Sequence, residues 1–125
     1  MLAAEDATFE DTAHFHNGSI VPGHGSNVVY TMFVGLNRAR SFMLTGQALD
    51  ATEAHRIGLV AEVLPREQRL ARAWKLARQL ANNSDMLLRY TRSVLTLPLE
   101  RQTDDLLLYS VLMEALSTLD RSAGP

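Results

Sequence analysis

The sequence predicts a helix over residues 103–119 that is apolar on nearly every side from Leu106 onward. From that residue, only a narrow stripe of Ser110, Glu114, Ser117 and Thr118 interrupts the leucine, valine, tyrosine, methionine and alanine side chains. A helix of this kind has to be covered over most of its circumference. A small chain supplies little surface for that purpose, so we expect a partner surface, either another subunit or a further part of the fold.

Composition restricts the kind of protein that this chain can be. It has 125 residues, 46% of them hydrophobic and 21% charged, which is ordinary for one globular domain. The net charge of −2 gives no electrostatic case for binding nucleic acid or an anionic membrane. Cysteine is absent, which excludes disulfides, thiolate metal sites and a cysteine nucleophile. With no signal-peptide pattern and no long apolar run, we expect a cytoplasmic chain.

Turn and capping residues predict a helix-rich α/β chain with a few short strands at the front. A loop over 10–25 contains two turn dipeptides, and Ser26 or Asn27 is expected to cap the next helix. Asp50 and Glu53 have the spacing of a capping box. The predicted strands are 2–9 and 59–64, and the predicted helices are about 26–34, 36–44, 51–57, 67–82, 85–95 and 103–119.

Three of the four histidines fall within residues 14–25, HFHNGSIVPGHG. A metal site is disfavoured, because no acidic residue falls between positions 12 and 49. The glycines form neither a dinucleotide fingerprint nor a P-loop, and Ser26 lacks the surroundings of a nucleophile. Acid–base catalysis by His14 or His24 therefore stands beside the plainer interpretation that these are solvated loop histidines. His55 is expected to be structural.

Several short motifs resemble the second half of the crotonase, or enoyl-CoA hydratase/isomerase, superfamily over residues 3 to about 98. The most specific is the run LTGQALDATEAHRIGLVAEVLP, residues 44–65. The motifs occur in the family's order, at residues 20–25 (IVPGHG), 35–39 (GLNRA), 44–46 (LTG), 50–54 (DATEA), 58–60 (GLV) and 63–65 (VLP).

The resemblance implies a division at residue 65. Residues 1–65 would be the C-terminal part of the crotonase core, and residues 66–125 a helical oligomerisation region. Family members form trimers through their C-terminal helices, so a homotrimer or hexamer built through residues 103–119 is implied. No cofactor is implied, although a coenzyme A thioester is a possible substrate.

The resemblance also assigns candidate site residues. Hydratases of the family carry a catalytic glutamate where this chain has His14, a departure that puts simple hydration in doubt. The motif is more similar to that of the β-diketone hydrolase 6-oxocamphor hydrolase, in which the corresponding histidine activates water. His14 would then be the base, and His24, in place of that enzyme's aspartate, would orient it or the substrate. The substrate would contact Phe15, Pro22, Gly23 and Gly25.

The same resemblance also indicates that this chain lacks parts of the family's catalytic site. The family's oxyanion hole and one hydratase carboxylate come from segments that would precede residue 1, and an oxyanion hole is commonly the largest catalytic contribution. The chain is therefore interpreted as the C-terminal part of a crotonase-type enzyme, a lyase, isomerase or C–C hydrolase, acting on an acyl-CoA thioester or a β-diketone. The alternative is a non-catalytic, truncated oligomerisation module.

The resemblance also indicates that Ser19 is an inserted residue, which alters the geometry of the site.

Overall fold

The computed structural model describes residues 1–122, apart from the side chains at positions 17, 121 and 122. It forms two compact units, one containing Met1–Thr8 and Asp50–Pro98 and the other containing Phe9–Leu49 and the chain from Leu99 onward. Helices predominate and the strands are short. The predicted α/β class, with few strands and many helices, is therefore confirmed.

The first unit is built on a parallel pair of short strands. Strand β1 (Leu2–Ala4) pairs with β4 (Glu62–Leu64). Helix α4 (Ala51–Arg56) precedes β4, and a single 3-10 turn (Arg66–Gln68) leads into α5 (Arg69–Ala81). Small side chains form most of its core, which allows close packing; the buried residues are Ala3, Ala4, Ala51, Ala54, Ile57, Leu59 and Val60.

The predicted cap of α4 is confirmed. The carboxylate of Asp50 accepts a hydrogen bond of 2.7 Å from the backbone N–H of Glu53. The Glu53 carboxylate is itself paired with the Arg56 guanidinium one turn later, at 2.6 Å. An N-cap bond of this type stabilises a helix by about 1 kcal/mol.

Two strand predictions for this unit are too long. Residues 2–9 form β1 and a separate β2 (Thr8–Phe9), because the Ala7 N–H turns back to the Ala4 carbonyl at 3.0 Å. The strand expected from residue 59 begins only at Glu62. The amides of Leu59 and Val60 instead donate to the Ala54 carbonyl at the end of α4, so they are not available to a strand ladder.

The second unit contains three helices near its start: α1 (Phe15–Gly18), α2 (Ser26–Val34) and α3 (Leu36–Thr45). Strand β3 (Leu49–Asp50) then leads back toward α4. The helices predicted at 26–34 and 36–44 are confirmed to within one residue. The rings of Tyr30 and Phe42 pack across α2 and α3 with centroids 4.9 Å apart. The buried residues of this core are Val28, Val34, Ala39, Phe42, Met43 and Leu49.

Two local predictions in this unit are wrong. The segment 10–25 is not all loop, because α1 closes one helical turn there with a hydrogen bond from the Gly18 N–H to the His14 carbonyl, 2.6 Å long. The residue that caps α2 is Gly25 rather than Ser26 or Asn27. Gly25 has φ +104°, a left-handed conformation that suits glycine, and its carbonyl accepts from the amides of the first turn.

The two helices predicted after Ser84 are one helix, α6 (Asp85–Ser122), with Pro98 inside it. A proline in a helix interior removes one backbone hydrogen bond and costs about 3 kcal/mol. Each side of Pro98 is long enough to form a helix in its own right, and the two units divide at this residue. Among the described residues, no helix is long and apolar enough to span a membrane.

Candidate functional site

The ring of His14 is held by a carboxylate three residues earlier in the chain. Its Nδ1 lies 2.8 Å from Oδ1 and 3.0 Å from Oδ2 of Asp11. Both side chains are buried, at 7% exposure each. An ionised carboxylate can only accept hydrogen bonds, so His14 carries its proton on Nδ1 and leaves the lone pair on Nε2. That Nε2 atom is buried and has no hydrogen-bond partner among the described residues.

The environment of Asp11 keeps it ionised. Burial by itself would raise the pKa of this carboxyl group. Hydrogen bonds from the His14 ring and from the backbone N–H groups of Ala13 and His14 outweigh burial, so the pKa lies below its ordinary value. A carboxylate that is buried, charged and bound to a histidine fixes that ring's tautomer, as the aspartate does in a catalytic triad.

His24 is held in the same way by a carboxylate from the far end of the chain. Its Nδ1 lies 2.9 Å from Oε2 and 3.0 Å from Oε1 of Glu114, on α6. The backbone N–H of Gly23 donates to the same carboxylate at 3.1 Å. This pair is more exposed than the first, with 62% of the His24 side chain accessible. The Nε2 of His24 is again the atom left for other partners.

The two histidines are neighbours in space. Their ring centroids are 4.8 Å apart and the planes are inclined by 45°. The structure therefore brings together both histidines chosen from the sequence, each with a carboxylate on Nδ1. Two neighbouring imidazoles, each held through Nδ1, can accept a proton at Nε2 and return it, which is general acid–base chemistry.

The four residues suggested for substrate contact are dispersed around this pair. Phe15 begins α1 with its side chain 54% exposed. Pro22 lines a cleft of about 430 Å³ together with Asn27, Arg40 and Leu106. Gly23 lies against α6, and Gly25 caps α2 with open space where a side chain would begin.

Ser19, interpreted from sequence as an insertion, has a distinctive backbone. It follows α1 and has φ +52°, a left-handed conformation that is uncommon for residues other than glycine. Ser19 therefore lies in the turn that follows α1, between the two histidines along the chain. His55, expected to be structural, hydrogen-bonds through Nδ1 to the Val60 carbonyl at 3.0 Å. Within residues 1–122, no three histidine or acidic side chains are arranged to hold a metal ion.

Comparison with known proteins identifies the family. The profile of the enoyl-CoA hydratase/isomerase family matches residues 1–115. The chain belongs to the enoyl-CoA hydratase/isomerase family. A probable enoyl-CoA hydratase of Mycobacterium bovis is 32% identical over 120 residues, which cover 91% of this chain and 47% of that protein. A short-chain-enoyl-CoA hydratase of Clostridioides difficile is 35% identical over 78 residues, covering 62% of this chain and 50% of that protein.

Solved structures of the family show the same fold. A β-diketone hydrolase from the cyanobacterium Anabaena sp., bound to (S)-3-oxocyclohexyl acetic acid, superposes with a TM-score of 0.92 and 37% identity, over 97% of this chain and 48% of that one. An enoyl-CoA hydratase of Mycobacterium tuberculosis gives a TM-score of 0.86 and 31% identity, over 97% and 54%. The chain thus spans about half the length of these enoyl-CoA hydratase/isomerase family members.

Sequence reasoning missed both carboxylates of the site. Asp11 was outside the motifs used to assign the family, although its position three residues before His14 is a spacing at which side chains meet in a tight turn. Glu114 was noticed only as part of a polar stripe on an apolar helix. That stripe is the signal that could have identified it, because a charged residue on a covered face needs a partner.

Proposed function

We propose that the protein carrying this chain hydrolyses a carbon–carbon bond of a β-diketone, with His14 as the general base. The buried, unpaired Nε2 of His14 is the observation that carries the proposal, since Asp11 fixes the ring so that this atom accepts a proton. The β-diketone hydrolase that shares this fold at 37% identity supports the same chemistry.

The proposed reaction balances with water as the only co-reactant. His14 Nε2 takes a proton from water while the water oxygen bonds to one carbonyl carbon of the diketone. The bond from that carbon to the central carbon then breaks, and its electron pair forms the enolate of the second carbonyl. The His14 imidazolium returns its proton to the central carbon, giving a carboxylic acid and a ketone. His24, held by Glu114, orients the water or the substrate.

Stabilisation of the enolate oxygen is a requirement of the whole reaction. Preorganised N–H donors at such an oxygen are each worth about 3–4 kcal/mol in related chemistry. Because the chain spans about half the length of its relatives, the complete activity is proposed for the whole protein to which residues 1–125 belong. The proposed division at residue 65, between a core part and an oligomerisation part, is likewise a proposal about that protein.

The experiment gives the whole protein that carries this chain a cyclic β-diketone with no hydrogen on its central carbon, in water enriched in oxygen-18. The product expected is a keto acid with one heavy oxygen in its new carboxyl group, detected by mass spectrometry. Turnover that is unchanged when His14 is replaced, or a product without heavy oxygen, would overturn the proposed role of His14 as base.

Hydration of an enoyl-CoA thioester is the second candidate, favoured by the hydratases at 32% and 35% identity. It differs in adding water across a carbon–carbon double bond. The protein used in the diketone assay should therefore also be assayed with a short-chain enoyl-CoA thioester. Faster turnover of the thioester than of any diketone would show that hydration, and not C–C hydrolysis, is the activity. Inactivity toward both substrates would favour the non-catalytic module.

Assembly through residues 103–119 is also proposed. Large apolar side chains of this segment remain exposed in the single chain, including Leu108 at 73%, Tyr109 at 65% and Leu112 at 52%. A second copy of the chain would cover this surface in a homotrimer or hexamer. Sedimentation of the 125-residue chain tests this directly, because a monomer at micromolar concentration would contradict it.

A further inference from the structure

The polar stripe of α6 makes a continuous set of hydrogen bonds with the segment that carries His24. The Ser117 hydroxyl accepts from the backbone N–H of Val21 at 3.2 Å. One turn earlier on α6, Glu114 accepts from Gly23 and from His24 itself. Beyond it, the Ser110 hydroxyl accepts from the Asn27 amide at 2.9 Å.

The spacing of these three residues places them on one face of the helix. Positions 110, 114 and 117 are four and three residues apart, so their side chains align along α6. Their partners lie before and after His24 along the chain. The stripe therefore anchors the histidine segment, residues 21–27, at both of its ends as well as at its centre.

Gly23 allows the segment to approach the helix closely. A Cβ atom at this position would collide with the Ser110 carbonyl oxygen and would lie 2.6 Å from the Glu114 side chain. The backbone of residue 23 thus packs directly against the backbone of α6. Ser110 itself is 7% exposed, so the contact is closed to solvent at that end.

The His24–Glu114 pair is too exposed to hold itself in place. Ion pairs and hydrogen bonds between accessible side chains contribute little, because water competes for both partners. The His24 side chain is 62% exposed, and Glu114 is 23% exposed. The fixed position of the His24 ring therefore requires the backbone around it to be held by other contacts.

We propose that Ser117 and Ser110 are positioning residues, which hold the histidine segment on α6 so that Glu114 reaches Nδ1 of His24. The hydrogen bonds of the two serines go to the segment on either side of the histidine, not to its ring. They act through the backbone of Val21 and through Asn27. This inference concerns how His24 is held, and it goes beyond the choice between C–C hydrolysis and hydration.

The test is amide hydrogen exchange on the 125-residue chain, measured by NMR in the Ser117→Ala variant. The Val21 amide loses its own acceptor and exchanges faster in any case. The informative amide is that of Gly23, whose acceptor Glu114 is unchanged. If Ser117 positions the segment, we expect exchange at Gly23 to accelerate about tenfold, and the His24 ring signals to move toward those of a solvated histidine.

Matched variants separate positioning from a general loss of stability. Ser117→Thr keeps the hydroxyl and should restore wild-type exchange at Gly23. Thr118→Ala removes the neighbouring hydroxyl, which donates to the Ala115 carbonyl of the same helix at 2.7 Å, and should leave Gly23 unchanged. Exchange that is faster at Val21 alone, with Gly23 and the His24 ring unaffected, would overturn the proposal.

Ser110→Ala provides a second and independent variant, which decides the matter if Ser117→Ala does not fold. It should also accelerate exchange at Gly23, and an unchanged rate there would contradict the proposal. Because the readout is amide exchange rather than turnover, its outcome is distinct from that of the activity assay. The activity assay of a His14 variant does not affect the proposal that the serines position His24. Unchanged exchange at Gly23 would likewise leave the proposed role of His14 as base unaffected.

Discussion

The rings of His14 and His24 lie 4.8 Å apart, centroid to centroid, although ten positions separate them along the chain. Each ring has Nδ1 on a carboxylate, Asp11 for the first and Glu114 for the second. The remaining nitrogen of each ring, Nε2, is consequently the atom that the proposed acid–base chemistry would use. This arrangement of two oriented imidazoles, rather than any single residue, distinguishes the site from a loop that happens to contain histidines.

Replacing His14 by asparagine should abolish catalysis and keep the fold. The asparagine amide can still donate to Asp11 from near the position of Nδ1, but it has no Nε2 to accept a proton. We expect kcat to fall by about 10²- to 10⁴-fold, the usual contribution of a general base. A wild-type melting temperature with full activity in His14→Asn would contradict the assignment. His16→Ala is the matched control, because that ring is exposed and two residues away.

His14→Ala should behave differently from His14→Asn. The alanine removes the ring that binds a buried carboxylate, and losing a partner of that kind costs about 1–3 kcal/mol. We therefore expect lower stability in urea for His14→Ala than for His14→Asn. Equal stability of the two variants would show that the Asp11 contact contributes little.

Stability should fall in acid through Asp11. Its pKa is lower in the folded protein than the ordinary value of 3.8, so its contribution is complete above about pH 4 to 5. That contribution is lost as the pH falls from the unfolded value through the folded one. Asp6 and Glu62 also have lowered pKa values, from hydrogen bonds with Arg66 and Arg72, but their exposure weakens their contributions.

Urea unfolding between pH 2 and 7 measures this contribution of Asp11. The Asp11→Asn variant should be less stable at neutral pH and should show a flatter dependence on pH below 5. Glu5→Gln, at an exposed carboxylate, is the control and should follow the wild-type curve. Parallel curves for wild type and Asp11→Asn would show that the carboxylate does not stabilise the fold.

Tyr30 should ionise late in an alkaline titration. Burial raises the pKa of its hydroxyl group above 10, and the negative charge of Asp11 raises it further. The phenolate absorbance of the wild type minus that of Tyr30→Phe isolates Tyr30 from Tyr90 and Tyr109, and this difference should rise above pH 10. In an Asp11→Asn background the same difference should rise at lower pH, because the charge is removed. A difference that rises at or below pH 10 in the wild-type background would contradict the assignment.

The core between α2 and α3 should depend strongly on Phe42. Its side chain is 2% exposed and packs on Tyr30, so Phe42→Ala should cost about 3–5 kcal/mol of unfolding free energy. Phe33→Ala is a matched control, since that ring is 47% exposed, and it should cost less than about 1 kcal/mol. Calorimetry of both variants provides the comparison.

Local signals in the sequence predicted the helices of the second unit well. Gly35 and Gly46 end α2 and α3 as expected, and Ala39, Phe42 and Met43 form the predicted buried face. The cap at Asp50 is also correct. These features depend on neighbours within four residues, which a pattern along the chain can detect.

The errors arise where distant parts of the chain decide the outcome. Pro98 was expected to end a helix, yet α6 continues through it because helix on both sides compensates for one lost hydrogen bond. Glu114 lies ninety residues from His24, so no local pattern could pair them. Asp11 is close in sequence to His14, but their contact depends on the turn before α1, which had been assigned to loop. The sequence therefore predicted the two histidines, whereas the carboxylates that bind them are known only from the folded structure.

The most direct single measurement is nitrogen-15 NMR of the His14 ring at neutral pH. If Asp11 orients His14 as a base, the spectrum will show the proton on Nδ1 and an unprotonated Nε2. A ring with its proton on Nε2 would contradict the central claim, because that nitrogen could not then accept a proton from water.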